Sequence, residues 1–441
     1  MNRLRGTDYF IISSYSFGLS VMWNSIHTII LPAVLLQFVP DAIKSVALGT
    51  LTFCGLLLAM ALQPITGALS DQTRSPWGRR RPWILAGAAG SILSLLALGL
   101  APGLTLLAIA YLLLQITSNI AHGPFQGLIP DLTPARRHGI AAGARNLLDL
   151  LGLMAGVTVA GFAIDRGRPA WALAFIVAVL TGVAVLSLLG IREPPAAGAA
   201  PLMPAFQRAK AAFVHAYRFD YRRYAGYAWL LLSRFLVLAG VYAVQGFSQY
   251  YLRDVLGVAR PASLTARLTT IIGVGTLLLV LPAGYLCDRF GRKWANTLAA
   301  LLCSLGVFLF LLVRGQTTLF VAAGLVGVGL GTFLSANWAL ATDLAPAEAA
   351  GQYLGLSNLA TAGAGAAARL GGPLIDLFNV WQPGHGYTIM LSVAGLSILA
   401  GALITWYKVP EPPRGGKAPA RSFAATWPRL WRRFRRALLG Y

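Results

Sequence analysis

Twelve long apolar segments, almost free of charge, run through this chain, and they decide what it can fold into. They lie near 9–38, 43–70, 83–101, 104–130, 140–164, 169–191, 225–252, 266–288, 293–313, 317–343, 352–378 and 386–407. A helix that crosses a bilayer needs about 20 predominantly apolar residues. In lipid every backbone N–H and C=O must find its partner within the protein, which leaves helices or closed barrels. The apolar runs are continuous rather than alternating, so the expectation is an all-α polytopic membrane protein with twelve transmembrane helices. Only 11% of the residues are charged, whereas soluble domains are about 25% charged. A soluble enzyme is excluded on that ground.

The formal net charge is nevertheless +22. Such a balance in a soluble chain would point to nucleic acid; here no nucleic-acid partner is expected, and the charge sorts by loop. With both termini in the cytoplasm, the outside loops hold seven basic residues: Lys44, Arg166, Arg168, Arg253, Arg260, Arg267 and Arg314. Arg145, Arg234 and Arg369 fall inside helices, which leaves 26 of the 36 Lys and Arg in cytoplasmic segments. Cytoplasmic loops of membrane proteins carry just such an excess. The expected location is a bacterial cytoplasmic (inner) membrane. The opening MNRLRGTDYF lacks a small-residue processing site, so the first segment is expected to stay as a span. Cys54, Cys287 and Cys303 lie in or beside helices and imply no disulfide framework.

An internal repeat divides the chain. GALSD (67–71) is echoed by GYLCD (284–288), and DLTPA (131–135) by DLAPA (343–347). At an offset of 212 the second match continues, pairing Gly143 with Gly355 and Asn146 with Asn358. Two six-helix bundles are therefore expected, 1–191 and 225–410, in a pseudo-symmetric pair. Between them lies a cytoplasmic linker, 192–224, and after them a basic tail, 411–441. Parallel repeats of this kind build transporters that hold substrate at the repeat interface.

The loop after each bundle's second helix reads GALSDQTRSPWGRRRPWI (67–84) and GYLCDRFGRK (284–293). Both resemble the loop motif of the major facilitator superfamily. The longer first copy, with HGPFQGLIPDL (122–132), is similar to the glycoside–cation symporters, which include melibiose permease, and to the plant sucrose transporters. The superfamily resemblance spans the chain, and the closer one rests on these two segments. It implies a secondary transporter of a sugar or glycoside, and no cofactor.

The charged motif residues Asp71, Arg79, Arg80, Asp288, Arg289 and Arg292 are candidate gating residues, through carboxylates that cap a helix or pair with a loop arginine. Plain topology determination by positive charge is the alternative, above all for Arg79, Arg80 and Arg81. Ionisable groups inside a bundle are costly and therefore functional candidates. Arg145 and Asp149 sit i, i+4 on one face of the fifth helix, while the matching positions in the second half are Ser357 and Thr361. They are candidates for substrate contact and proton coupling, with Arg234 as an added coupling residue that can pair with Asp149 across the halves. Arg145 also matches an arginine in the family's fifth helix. His122 stands where melibiose permease has a sugar-contacting aspartate. Asn119 and Gln126 flank it at helical spacing. The symporter family's sodium carboxylates would fall within LAMALQPITG (58–67), where Gln63 precedes Pro64 and no acid is present. That departure favours protons as the coupled ion or simple facilitation.

Asn24 and His27 on the first helix, Gln245 and Gln249 on the seventh, Asn337 and Trp338 on the tenth and Asn358 on the eleventh complete the substrate-binding candidates. Trp23, Tyr250 and Arg369 are further ones, and helix-to-helix hydrogen bonds are the plainer explanation for each. There is no Walker sequence, metal-ligand cluster or nucleophile–base set. In the tail, Trp427, Leu430, Trp431, Phe434 and Leu438 recur at helical spacing among arginines, as in a helix lying on an anionic inner leaflet. The leading expectation is a monomeric, proton-coupled transporter of a small polar solute, and no enzyme. Efflux of an amphipathic compound, or a non-transporting assembly or delivery factor on the same fold, are the alternatives.

Overall fold

A computed structural model of the chain describes residues 6–134, 137–191, 193, 207, 223–346 and 350–411; within helices a few side chains, among them that of Asp288, lie outside the description. The described residues form helices and no strands. The first crossing, α1, covers 6–35: Gly6–Ser25, a π-helical turn Ile26–Ile30, and Leu31–Leu35. Pro32 explains the turn, because its ring lacks an N–H and clashes with the carbonyl four residues back. Then come α2 (Lys44–Ser70), α3 (Arg81–Gly99), α4 (Leu104–Leu132), α5 (His138–Asp165) and α6 (Pro169–Gly190). The second half holds α7 (Ala225–Asp254), α8 (Pro261–Phe290), α9 (Arg292–Phe310), α10 (Gln316–Leu344), α11 (350–379) and α12 (His385–Lys408).

Eleven helices are long and apolar enough to cross a membrane. The twelfth, α11, is broken at Leu370 into Ala350–Arg369 and Gly371–Asn379. The sequence reads as one continuous segment there. The break falls at a close approach: a Cβ on Gly49 or Gly372 would run into the backbone of the other half. α8 begins at Pro261, several residues before the apolar run, because its first turn is capped from the other half. The linker, apart from 193, 207 and 223–224, and the tail from 412 lie outside the described residues.

Helices α1–α6 pack mainly on one another, as do α7–α12, and the halves meet through α5 against α8, α2 against α11, and α1 against α7. The joints concentrate at the end opposite the basic loops. There Asp41 takes a bidentate contact from Arg253 at 3.0 and 3.1 Å. Lys44 reaches Asp254 at 2.6 Å. The Tyr250 hydroxyl donates to the Pro32 carbonyl at 2.9 Å. Asp165 at the end of α5 accepts from the amides of Ala262 and Ser263 at the start of α8, at 3.3 and 2.7 Å. Asp376 of α11 accepts from the Val46 amide at the start of α2, at 2.7 Å. At the basic end neither α4 nor α10 packs closely on the other half among the described residues.

Candidate substrate and coupling site

A ladder of polar side chains climbs α4: Tyr111, Gln115, Asn119, His122 and Gln126. Helical spacing of three and four residues stacks them on one face. Gln115 Nε2 donates to the Tyr111 hydroxyl at 2.7 Å, and that hydroxyl lies 2.8 Å from His27 Nε2. The hydroxyl thus sits between the Gln115 amide and the imidazole, and the His27 tautomer sets whether it donates to or accepts from the ring. His27 sits in the π-helical turn of α1, stacked on Trp23 with ring centroids 4.8 Å apart. Asn119 donates to the Gln115 carbonyl at 2.7 Å. Gln63 of α2 donates to Asn119 Oδ1 at 2.7 Å and lies 3.2 Å from His122 Nδ1. Gln126 approaches the other ring nitrogen at 3.2 Å. A neutral imidazole offers one donor and one acceptor. One amide therefore presents its oxygen to the ring, and the exposed Gln126 is free to turn.

Arg145 and Asp149 face the same space. Their closest approach is 3.8 Å, an ion pair rather than a tight hydrogen bond. The Arg145 guanidinium lies 5.7 Å from the centre of the Phe125 ring on α4. Ser20 donates to the Asp149 carbonyl at 2.6 Å, and Asn24 donates to the Ser20 carbonyl at 2.9 Å, so α1 holds the pair in place. Arg234 does not reach Asp149. It donates to Asn337 Oδ1 at 2.8 Å and to Thr361 at 2.9 Å, within its own half. Thr361 is the repeat partner of Asp149, so the two halves use one position differently: a carboxylate in the first, a hydroxyl holding an arginine in the second. Asn358 and Trp338 are exposed, and Gln249 is buried near the sealed end.

Asn24 and Gln245 line a cavity of about 290 Å³ with Tyr242, Ser248 and Thr269. Most of its wall is apolar, including Leu150, Leu153, Leu268, Ile272 and Leu330. Sequence reasoning missed Tyr111 and Gln115; the signal was there, as two further i−4 steps back from Asn119. It also missed the seal, since Asp41, Asp165, Asp254 and Asp376 lie at or just beyond the ends of apolar segments and carry no local pattern that shows a partner in the other half.

At the basic end, the motif residues bind within each half. Buried Arg80 contacts Asp71 at 2.8 Å, bonds Asp131, and takes Glu193 on its backbone N–H at 2.9 Å. Arg79 contacts Asp131 at 2.7 Å, and that hydrogen bond raises the guanidinium above its ordinary value, so it stays charged. In the repeat copy Arg292 bonds Asp343, and Arg289 donates to the Tyr285 hydroxyl at 3.3 Å and lies 5.4 Å from the centre of the Phe290 ring. Gly78 and Gly291 precede these basic runs with φ of 96° and 102°, a region in which side-chain-bearing residues are strained.

A sequence model of the Major Facilitator Superfamily matches residues 9–368 and, in a second alignment, 230–439. The chain belongs to the Major Facilitator Superfamily. It is thus an integral membrane transporter, not an enzyme. Among curated superfamily relatives, "Sucrose transport protein SUC4" of Arabidopsis thaliana is 27% identical over 169 residues, 34% of this chain and 32% of that protein. "Sucrose transport protein SUT2" of Oryza sativa subsp. indica is 31% identical over 173 residues, 34% of each. "Proton-associated sugar transporter A" of Homo sapiens is 27% identical over 202 residues, 41% of this chain and 26% of that one. The matched region spans about a third of these relatives' length. Among solved structures, a D-xylose-proton symporter superposes with a TM-score of 0.69 at 17% identity, covering 93% of this chain and 99% of that one. A bacterial homolog of the human lysosomal transporter Spinster gives 0.65 at 18%, covering 92% and 95%. At such identities the likeness is one of fold.

Proposed function

We propose that this protein moves a sugar or glycoside together with protons by alternating access, the bundles 1–191 and 225–410 rocking about the site between them. The observation that carries it is the polar ladder of α4 with His27 and the Arg145–Asp149 pair, set beneath a sealed end. Amides, imidazole and guanidinium suit a hydroxylated solute, and the names of the relatives agree in kind. The basic end faces the cytoplasm of a bacterial cell with both termini, so this conformer faces inward. Asp149 carries the proton, with Arg145 at 3.8 Å as the charge partner whose movement accompanies proton uptake and release. The motif residues Asp71, Arg79, Arg80, Asp288, Arg289 and Arg292 gate the inner side by holding each half's inner ends as units.

The test is counter-flow in proteoliposomes with a panel of sugars, wild type beside Asp149→Asn. Wild type should exchange a sugar and accumulate it under an inward proton gradient. Asp149→Asn should still exchange it at equilibrium yet lose the gradient-driven accumulation; retained accumulation removes Asp149 as carrier. Binding of a sugar without flux would sink the transport mechanism. A second reading, efflux of an amphipathic compound, is favoured by the apolar wall of the 290 Å³ cavity. Drug-like amphipaths exchanging in place of sugars would decide for it.

A further inference from the structure

Three guanidiniums lie well inside the helical bundle, those of Arg145, Arg234 and Arg369, and among the described residues Asp149 is the one carboxylate placed among them. Arg145 takes Asp149. Arg234 bonds only the neutral Thr361 and Asn337. Arg369 is buried, with 9% of its surface exposed, and among the described residues neither its Nε nor its Nη1 has a hydrogen-bond partner. An unpaired buried cation is strongly unfavourable. Neutral hydroxyls can satisfy its N–H groups but leave its charge uncompensated.

The position of Arg369 is that of a receptor. It ends the first part of α11, where the helix breaks. Its guanidinium lies over Gly246 of α7, where a Cβ would collide with Nη1. His27 and Tyr111 from the first half and Tyr242 from the second are its electrostatic neighbours. Tyr242 also lines the 290 Å³ cavity; Arg369 is not itself part of that wall, and the cavity approaches it through this ring on α7. A planar guanidinium matches carboxylate and phosphate oxygens. We infer that the transported solute is an anion, a sugar-type body bearing a carboxylate or phosphate, and that Arg369 receives its oxyanion between the two halves. This rests on the sugar-transport reading and narrows its substrate class.

The experiment is counter-flow by the full-length protein in proteoliposomes with labelled D-glucuronate, D-glucose 6-phosphate, D-glucose and sucrose, and with inorganic phosphate as competitor. Glucuronate or glucose 6-phosphate should exchange faster than either neutral sugar, and which of the two does so names the oxyanion. R369Q should lower that exchange about tenfold or more, as loss of a charge-assisted contact predicts, while R369K keeps part of it. Faster exchange of glucose or sucrose overturns the inference and leaves sugar transport standing, as does an anion preference unchanged in R369Q. Exchange of none of the four solutes overturns the sugar reading and this inference with it. Competition by inorganic phosphate equal to that by glucose 6-phosphate supports the receptor but overturns the sugar body. If neither variant folds, wild-type selectivity alone decides.

Discussion

Asp149, Arg145, His122 and Asn119 stand out in the sequence because ionisable and amide side chains are rare in apolar helices, where each must be paired or functional. The structure gathers all four about one space. Tyr111 was not legible in the same way, since a tyrosine in a membrane helix has an apolar body as well as a hydroxyl. Its role comes from sharing that hydroxyl between Gln115 and His27. Tyr111→Phe should therefore remove the hydroxyl shared by buried Gln115 and half-buried His27, at a cost of about 1–3 kcal/mol. A thermal melt in detergent should fall, and solute exchange with it; an unchanged melt would mean that other groups satisfy His27. Gly291 makes a second residue-scale case. Its φ of 102° should make Gly291→Ala cost about 1–2 kcal/mol. Gly284→Ala, in a helix with open space around it, should be near neutral. Equal melting losses for the two would show that the turn tolerates a side chain.

Helix ends decide how the elements meet. A helix N-terminus presents unpaired amides and a partial positive charge, so a carboxylate there is favourable. In most helices the cap comes from the residue before it. Here α2 and α8 take theirs from the other half: Asp376 of α11 caps α2, and Asp165 of α5 caps α8. The second and fifth helices of each half correspond in the repeat, so the two caps are related by the same pseudo-symmetry. No local sequence pattern shows this, because donor and acceptor lie 97 to 330 residues apart. Each cap is worth about 1 kcal/mol against alanine, so Asp165→Ala with Asp376→Ala should shift the equilibrium away from the sealed state. Spin labels across that end should show a longer distance population than in the wild type. An unchanged distribution would mean that packing at Gly49, Gly161 and Gly372 holds the seal without the caps.

Among the described residues the two halves are joined at one end and α4 and α10 do not pack closely on the other half at the basic end, the geometry that alternating access requires of one of its states. The seal combines the exposed Arg253–Asp41 contact, worth about 0–1 kcal/mol, with the more buried Lys44–Asp254 pair and the two caps. Such modest terms suit a joint that must open in each cycle. In a Cys54→Ser background, Asp41→Cys with Arg253→Cys should be joined by a short bifunctional thiol cross-linker that replaces the arginine's length, and exchange should stop. Exchange that persists after complete cross-linking would show that the halves need not part there.

By itself the sequence determined the membrane class and the all-helical fold, and it singled out most of the polar residues of the candidate site. These follow from local hydrophobicity and from the rarity of polar groups in apolar helices, both readable along the chain. The tertiary structure decided which of those residues share a space, that Arg234 turns to Thr361 rather than Asp149, and that Arg369 is left with unpaired nitrogens among the described residues. It also decided that carboxylates at the ends of apolar segments clasp one half to the other. Such facts depend on how helices far apart in the chain are rotated and set against each other, and no local pattern carries that information.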